Sequence, residues 1–387
     1  MKKAMQLLIA IGQIQDNDIL DAHNSVDVQK KMHRRIVLIA AIVAVLILLA
    51  GCATFAWHWY ATYFTNKRQE PLSSEQIEYI NENAEDHQIS QLQGGFTIEL
   101  ESVISGSNMA YVTFDLSAPE NIDFSDVLDI HSDASLGLPG LQAIPSGSNV
   151  PANISYDVID DGDEKNNTLK IVIRIDPGVQ QGADSAFGPG KTCEIVFKDI
   201  VKWGHDQEYE QELLATKYAG QTDYMLTPEE SERVHPRTLL ASGEWKFVIE
   251  LTEADSGEIE LLESPVSTKV WVVRNGATEF EAIDSVEDVT LTSVRITPLS
   301  VEISFDIPEP SDKFSCIHID VATFPPLPGT PAMDYENVTL VMKDGTEISL
   351  FQSMGAKDVA ILAADSPIVL EKVDYLQMSD GTKLHAK

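Results

Sequence analysis

Hydrophobic and polar positions divide the chain into three regimes. Residues 1–35 are mixed, with Met5, Leu8, Ile9 and Ile11 on an irregular amphipathic pattern and Asp16 or Asp18 placed to cap a short turn through Ile19 and Leu20. Ile36 to Trp57, IVLIAAIVAVLILLAGCATFAW, is apolar without a single charge. At about 1.5 Å per helical residue, that run matches the roughly 30 Å hydrocarbon core of a bilayer. The pattern therefore predicts one transmembrane helix over residues 36–58. From Gly95 onward the period falls to two, the spacing of strands with one buried face.

Between these regimes a polar stretch, residues 59–90, reads as a juxtamembrane stalk with one helix. Ser73 and Gln76 stand at capping-box spacing, and the helix should run to about Glu85 with Ile77 and Ile80 on one side. Phe96–Leu100, Tyr111–Leu116, Thr168–Ile175, Thr192–Val201 and Glu244–Leu251 then alternate as strands, separated by turn-rich clusters such as Gly137–Pro151. Lys202 to Ser242 is polar and reads as a long connection with a short helix near Pro228–Val234. A second block has strands at Thr268–Arg274, Asp288–Ile296, Leu299–Ile307, Phe314–Val321, Asn337–Met342 and Glu347–Phe351. Lys343-Asp344-Gly345-Thr346 has the signature of a type I′ hairpin turn, and Ser379-Asp380-Gly381-Thr382 repeats it.

The two blocks echo one another. Leu100, Val103, Phe114, Leu116 and Pro119 recur as Leu291, Val294, Phe305, Ile307 and Pro310, a constant offset that points to a duplicated domain. The expected fold is mainly β. A single transmembrane helix is followed by a juxtamembrane helix and two immunoglobulin-like β-sandwich domains, residues 91–255 and 265–387.

Charge sets orientation and excludes partners. Lys30, Lys31, Arg34 and Arg35 abut the start of the apolar run, against only Lys67 and Arg68 beyond it. The positive-inside rule places residues 1–35 in the cytoplasm and the C-terminal domains outside a plasma membrane. Trp57, Trp59, Tyr60, Tyr63 and Phe64 read as an aromatic belt at the outer headgroup layer, with the lipid bilayer as partner of residues 36–58. The rival reading, a lipoprotein processed at Leu49-Ala50-Gly51-Cys52, has too long a leader, and the apolar run continues past the cysteine. The chain carries 61 acidic against 27 basic residues, a net charge of −34, and the mildly basic leader contributes none of that excess. Such a body repels nucleic acid and anionic headgroups.

Candidate chemistry is sparse. There is no Gly-x-Ser-x-Gly elbow, no His-Glu-x-x-His pair and no phosphate-binding glycine loop, so no catalytic, cofactor or metal residue is assigned and no enzyme activity is expected. Asp129, His131 and Asp133 alternate, as do Cys316, His318 and Asp320, but one strand rarely supplies more than two converging ligands, and each trio reads as a solvated face. Asp160-Asp161-Gly162-Asp163-Glu164 reads as an acidic turn, lacking the bidentate glutamate of a calcium loop. Cys193 and Cys316 lie in different blocks and read as buried thiols, with a disulfide as the alternative.

The leader Met1–Gly12 with Asp18–Ala22, the segment Leu72–His87, Gly95–Pro119 with Asn108-Met-Ala-Tyr111, and Gly243-Glu-Trp-Lys-Phe247 resemble the family called domain of unknown function 4179, membrane proteins of Gram-positive bacteria. The C-terminal block resembles the immunoglobulin-like domain that often follows it. The resemblance implies an anti-sigma-factor-like regulator, with residues 1–35 holding a cytoplasmic sigma factor and the outer domains sensing an extracellular ligand. The zinc-binding form of such a module uses a His and a Cys pair, whereas residues 1–35 contain His23 and His33 and no cysteine. The alternative function is a cell-surface binding module for wall polymer, cation or protein, with no signalling role.

Overall fold

The computed structural model describes residues 58–386 apart from positions 69, 130–133, 149, 161–166, 178–187, 220–224, 253–256, 263, 275–282, 307–313, 319–337 and 356–358. The protein is mainly β and built of several sheets. Residues 58–68 are helical (α1), and Ser74–Asn83 forms α2 with the expected capping box: Ser73 Oγ accepts from Gln76 N, and Gln76 Oε1 accepts from Ser73 N. The helix stops at Asn83, because the chain is already a strand from Glu85.

The first block contains β1 (Glu85–Gln93), β2 (Phe96–Ser105), β3 (Ala110–Ser117), β4 (Ser135–Gly137), β5 (Gln142–Pro145), β6 (Asn153–Ile159), β7 (Thr168–Asp176), β8 (Lys191–Trp203) and β9 (Arg237–Leu251), with α3 (Ser125–Leu128), α4 (Gln207–Thr216) and α5 (Pro228–Val234). One antiparallel sheet has the order β1-β2-β3-β7-β6; the other pairs β8 with β4 and β5 on one side and β9 on the other. The sheets enclose one apolar core, where Phe114 meets Phe197 and Phe247 edge-on at 4.9 and 5.1 Å. Hydrophobic residues of period two supply it: Phe96, Ile98 and Leu100 from one sheet, Trp245, Phe247 and Ile249 from the other.

The second block contains β10 (Ile259–Glu260), β11 (Val266–Arg274), β12 (Ile283–Ile296), β13 (Ser300–Asp306), β14 (Phe314–His318), β15 (Thr339–Met342), β16 (Glu347–Gly355), β17 (Val359–Ala364), β18 (Val373–Gln377) and β19 (Lys383–His385). Its path, β14-β11-β12-β13-β17-β16-β15-β18-β19, runs through a single sheet and repeats two stretches of the first block's order. The run β11-β12-β13-β17-β16 parallels β1-β2-β3-β7-β6, and β15-β18-β19 parallels β5-β8-β9. The central hairpins match residue for residue. Leu100 faces Phe114 as Leu291 faces Phe305, and Val103 faces Val112 as Val294 faces Ile303. Even the bulge recurs, between Leu100 and Ser102 and between Leu291 and Ser293. The offset legible in the sequence is thus an offset of strand register.

The two Asp-Gly hairpin turns form, but not as type I′. Gly345 and Gly381 have φ of 84° and 82°, while Asp344 and Asp380 are not among the residues with positive φ. Gly345 N donates to Met342 O and Met342 N to Thr346 O, each 2.8 Å, the pattern of a type I turn closed by a glycine bulge. The aspartate decides between them: Asp344 Oδ1 accepts from Thr346 N at 2.9 Å, as Asp380 Oδ1 does from Thr382 N.

Candidate functional site: the junction between the two blocks

Trp59, Tyr60, Tyr63 and Phe64 were expected at a headgroup layer. The structure buries them instead. Trp59, Tyr60, Tyr63 and Phe64 are 7, 0, 4 and 1 % exposed, because their spacing places all four on one side of α1 and that side lies against the outer face of the first block's five-stranded sheet. Tyr60 Oη donates to the carbonyls of Ser102 and Tyr111, each at 3.0 Å, and Phe64 meets Tyr111 edge-on at 5.2 Å. Burial pushes the phenols of Tyr60, Tyr63 and Tyr111 well above their ordinary value. An aromatic ring with a polar tip suits a membrane interface and a protein core equally, so composition alone could not separate the two.

The second block closes the same cluster. Leu299, Ile361 and Ala363 pack with Ile104, Met109 and the α1 aromatics. Residues 59–90 are therefore no free stalk. Ile80 of α2 is fully buried in this cluster, Gln76 Nε2 donates to Ser366 Oγ (3.1 Å) and Pro367 O (2.8 Å), and Lys372 Nζ reaches Glu75 at 2.8 Å. The equivalent hairpin turns of the two blocks also touch: Ser300 Oγ donates to Asn108 Oδ1 at 2.6 Å, and Asn108 Nδ2 donates to Glu302 Oε2 at 3.2 Å.

Under α1 lies a charged group that the sequence reading missed. Lys170 of β7 is 6 % exposed and contacts Glu101 and Asp115, with its ammonium 5.2 Å from the Trp59 ring. Burial lifts the Glu101 carboxyl above its usual range against the pull of Lys170. One signal was available: Lys170 sits mid-strand between Leu169 and Ile171, where a charge is costly unless paired.

Cys193 is a free thiol buried between the sheets, and burial pushes it up to about 12. His131, Asp133, Asp320 and residues 161–164 lie outside the described residues, as do the side chains of Cys316 and His318; among the described residues no group of three or more metal-ligating side chains converges. No described helix is long and apolar enough to cross a membrane, and the run expected to do so, up to Trp57, lies outside the described residues.

No family model matches the chain, and no curated protein matches it. Among solved structures it is similar to the conserved domain protein from Bacillus anthracis, at 10 % identity over 77 % of this chain and 78 % of that one, with a TM-score of 0.39.

Proposed function

We propose that the protein is a single-pass envelope protein of the plasma membrane, with a non-catalytic extracellular sensor region and an anti-sigma-factor-like tail. In this reading residues 36–58 cross the bilayer, residues 1–35 hold a cytoplasmic regulator, and the duplicated blocks are immunoglobulin-like sandwiches that bind an extracellular ligand. The observation that carries the reading is the position of α1. It begins directly after the apolar run, and its aromatic face is buried in a cluster shared by both blocks. A ligand that favours a different arrangement of the blocks therefore changes how well α1 docks, which couples the outer region to the segment entering the membrane. The differential binding energy available to such a ligand sets how far that equilibrium moves.

Photocrosslinkers placed within residues 1–35 of the full chain, in its native membrane, test this. A sigma factor or other regulator is expected among the crosslinked products. Crosslinks confined to the outer blocks would reduce the protein to an anchored binding module for wall polymer, cation or protein.

A further inference from the structure

Three charged side chains stand on three neighbouring strands beneath Trp59. Asp115 of β3 lies directly opposite Lys170 of β7 in the antiparallel register, and Glu101 of β2 occupies the bulge beside them. Lys170 Nζ is 2.7 Å from Asp115 Oδ2 and 2.5 Å from Glu101 Oε1. A lysine at a protein surface normally carries its ammonium out to water on its long stem. This one is turned under an indole, and two carboxylates share its single charge. The far oxygen of Glu101, Oε2, is buried with no hydrogen-bond partner, and so is Nε1 of Trp59. A buried ammonium shared by two half-buried carboxylates is a costly arrangement, and an uncharged amide in the same place costs less.

We propose that Lys170 and Asp115 condense into an intramolecular amide, with Glu101 as the catalytic residue. The Glu101 carboxylate takes a proton from the Lys170 ammonium, leaving a neutral amine aimed at the Asp115 carboxyl. Nζ bonds to Cγ of Asp115, one Cγ–Oδ bond breaks, and the oxygen departs as water carrying both protons that the nitrogen loses, one of them relayed by Glu101. An ammonium and a carboxylate become one amide and one water, with no oxidant or co-reactant. The fold supplies the driving terms. Cross-strand register holds amine and carboxyl at near-attack distance, which removes the entropy of bringing them together. Trp59 covers the ammonium, and both carboxylates are largely withdrawn from water, so the product amide gives up little hydration. Burial raises the proton affinity of Glu101, which fits it to accept and return a proton, while Glu101 and Asp115 together hold Lys170 as the ammonium until that transfer occurs. The product would tie β3 to β7 covalently across the sheet on which α1 docks.

Peptide mapping by mass spectrometry of the full chain, purified from its native membrane, decides the matter. The expected result is a branched peptide joining Asp115 to Lys170, lighter than its two parts by one water and absent from Lys170→Arg. Glu101→Gln, checked by circular dichroism to be folded, should yield the two linear peptides. Asp115→Asn keeps the reacting carbon and should give the same branched peptide with loss of ammonia. Linear peptides of full mass from the folded wild-type chain would overturn the proposal; equal branching in Glu101→Gln would overturn the role of Glu101.

Discussion

Phe64 and Tyr60 show how much one side chain can carry at this junction. Phe64 is 1 % exposed and packs against Tyr63 and Tyr111, so Phe64→Ala leaves a cavity in the cluster shared by both blocks. Loss of a buried phenyl ring costs roughly 3–5 kcal/mol. We expect the urea midpoint of the full chain to fall accordingly. Tyr60→Phe keeps the ring and removes the donor to two buried carbonyls, so a loss of about 1–2 kcal/mol is expected in the same measurement. A change in Phe64→Ala no larger than in Tyr60→Phe would contradict the packing described here. At this scale the sequence was legible as chemistry but not as place. It marked these rings as amphipathic and could not say whether lipid or protein would receive them.

Among the elements, β1 was hidden and β2 was plain, for a physical reason. The first six residues of β2 alternate because one face lines the core. β1, Glu-Asp-His-Gln-Ile-Ser-Gln-Leu-Gln, reads as polar because its outer seam is made by side chains. Gln93 Oε1 accepts from Glu244 N at 2.9 Å and Gln91 Oε1 from Lys246 N at 3.0 Å, while their amide nitrogens donate to the carbonyls of the same two residues. Two glutamines thus stand in for a strand along the edge of β9, an edge that would otherwise be open to pairing with another chain. Replacing both by alanine should lower stability by about 1–2 kcal/mol. It should also raise concentration-dependent association, read by light scattering; an unchanged profile would remove the edge-covering role.

The helical connection between β8 and β9 was legible only in part. Its second helix, α5, forms where a short helix was expected, over Pro228–Val234, and the structure adds a capping box made by Thr227 and Glu230. The first helix, α4, has a weak apolar face and closes only on the small cluster of Leu213, Tyr218 and Val234. Glu230 holds this lobe together. Lys217 first, then the Thr227 backbone, keep its carboxyl at about 2, below the usual carboxylate range. A depressed value in the folded state means that its stabilisation is complete above the unfolded value of 4.5 and disappears as pH falls from there toward 2. The melting temperature of Glu230→Gln should therefore lie below wild type at neutral pH and converge on it in that window; a gap that widens on acidification would contradict the assignment.

For the whole molecule, the repeated hairpin register is what the sequence disclosed best. Leu100 and Leu291, Phe114 and Phe305 already declared the offset, because a strand register tolerates no insertion between bulge and turn. What holds the repeats to one another was not legible, since it is made by residues far apart in sequence: Gln76 with Ser366, Asn108 with Ser300, α1 with Leu299 and Ile361. None of these has a local pattern.

In the proposed arrangement the leader and the two blocks lie on opposite sides of a membrane. Ser25 lies in the leader, and Met225, 89 % exposed, lies on the first block. Ser25→Cys and Met225→Cys, each introduced into the full chain, can be treated in intact cells with a membrane-impermeant maleimide, using the unsubstituted chain as background. The account predicts labelling at position 225 in intact cells and at position 25 only after the membrane is opened. Labelling of both positions in intact cells, or of neither before lysis, would contradict it.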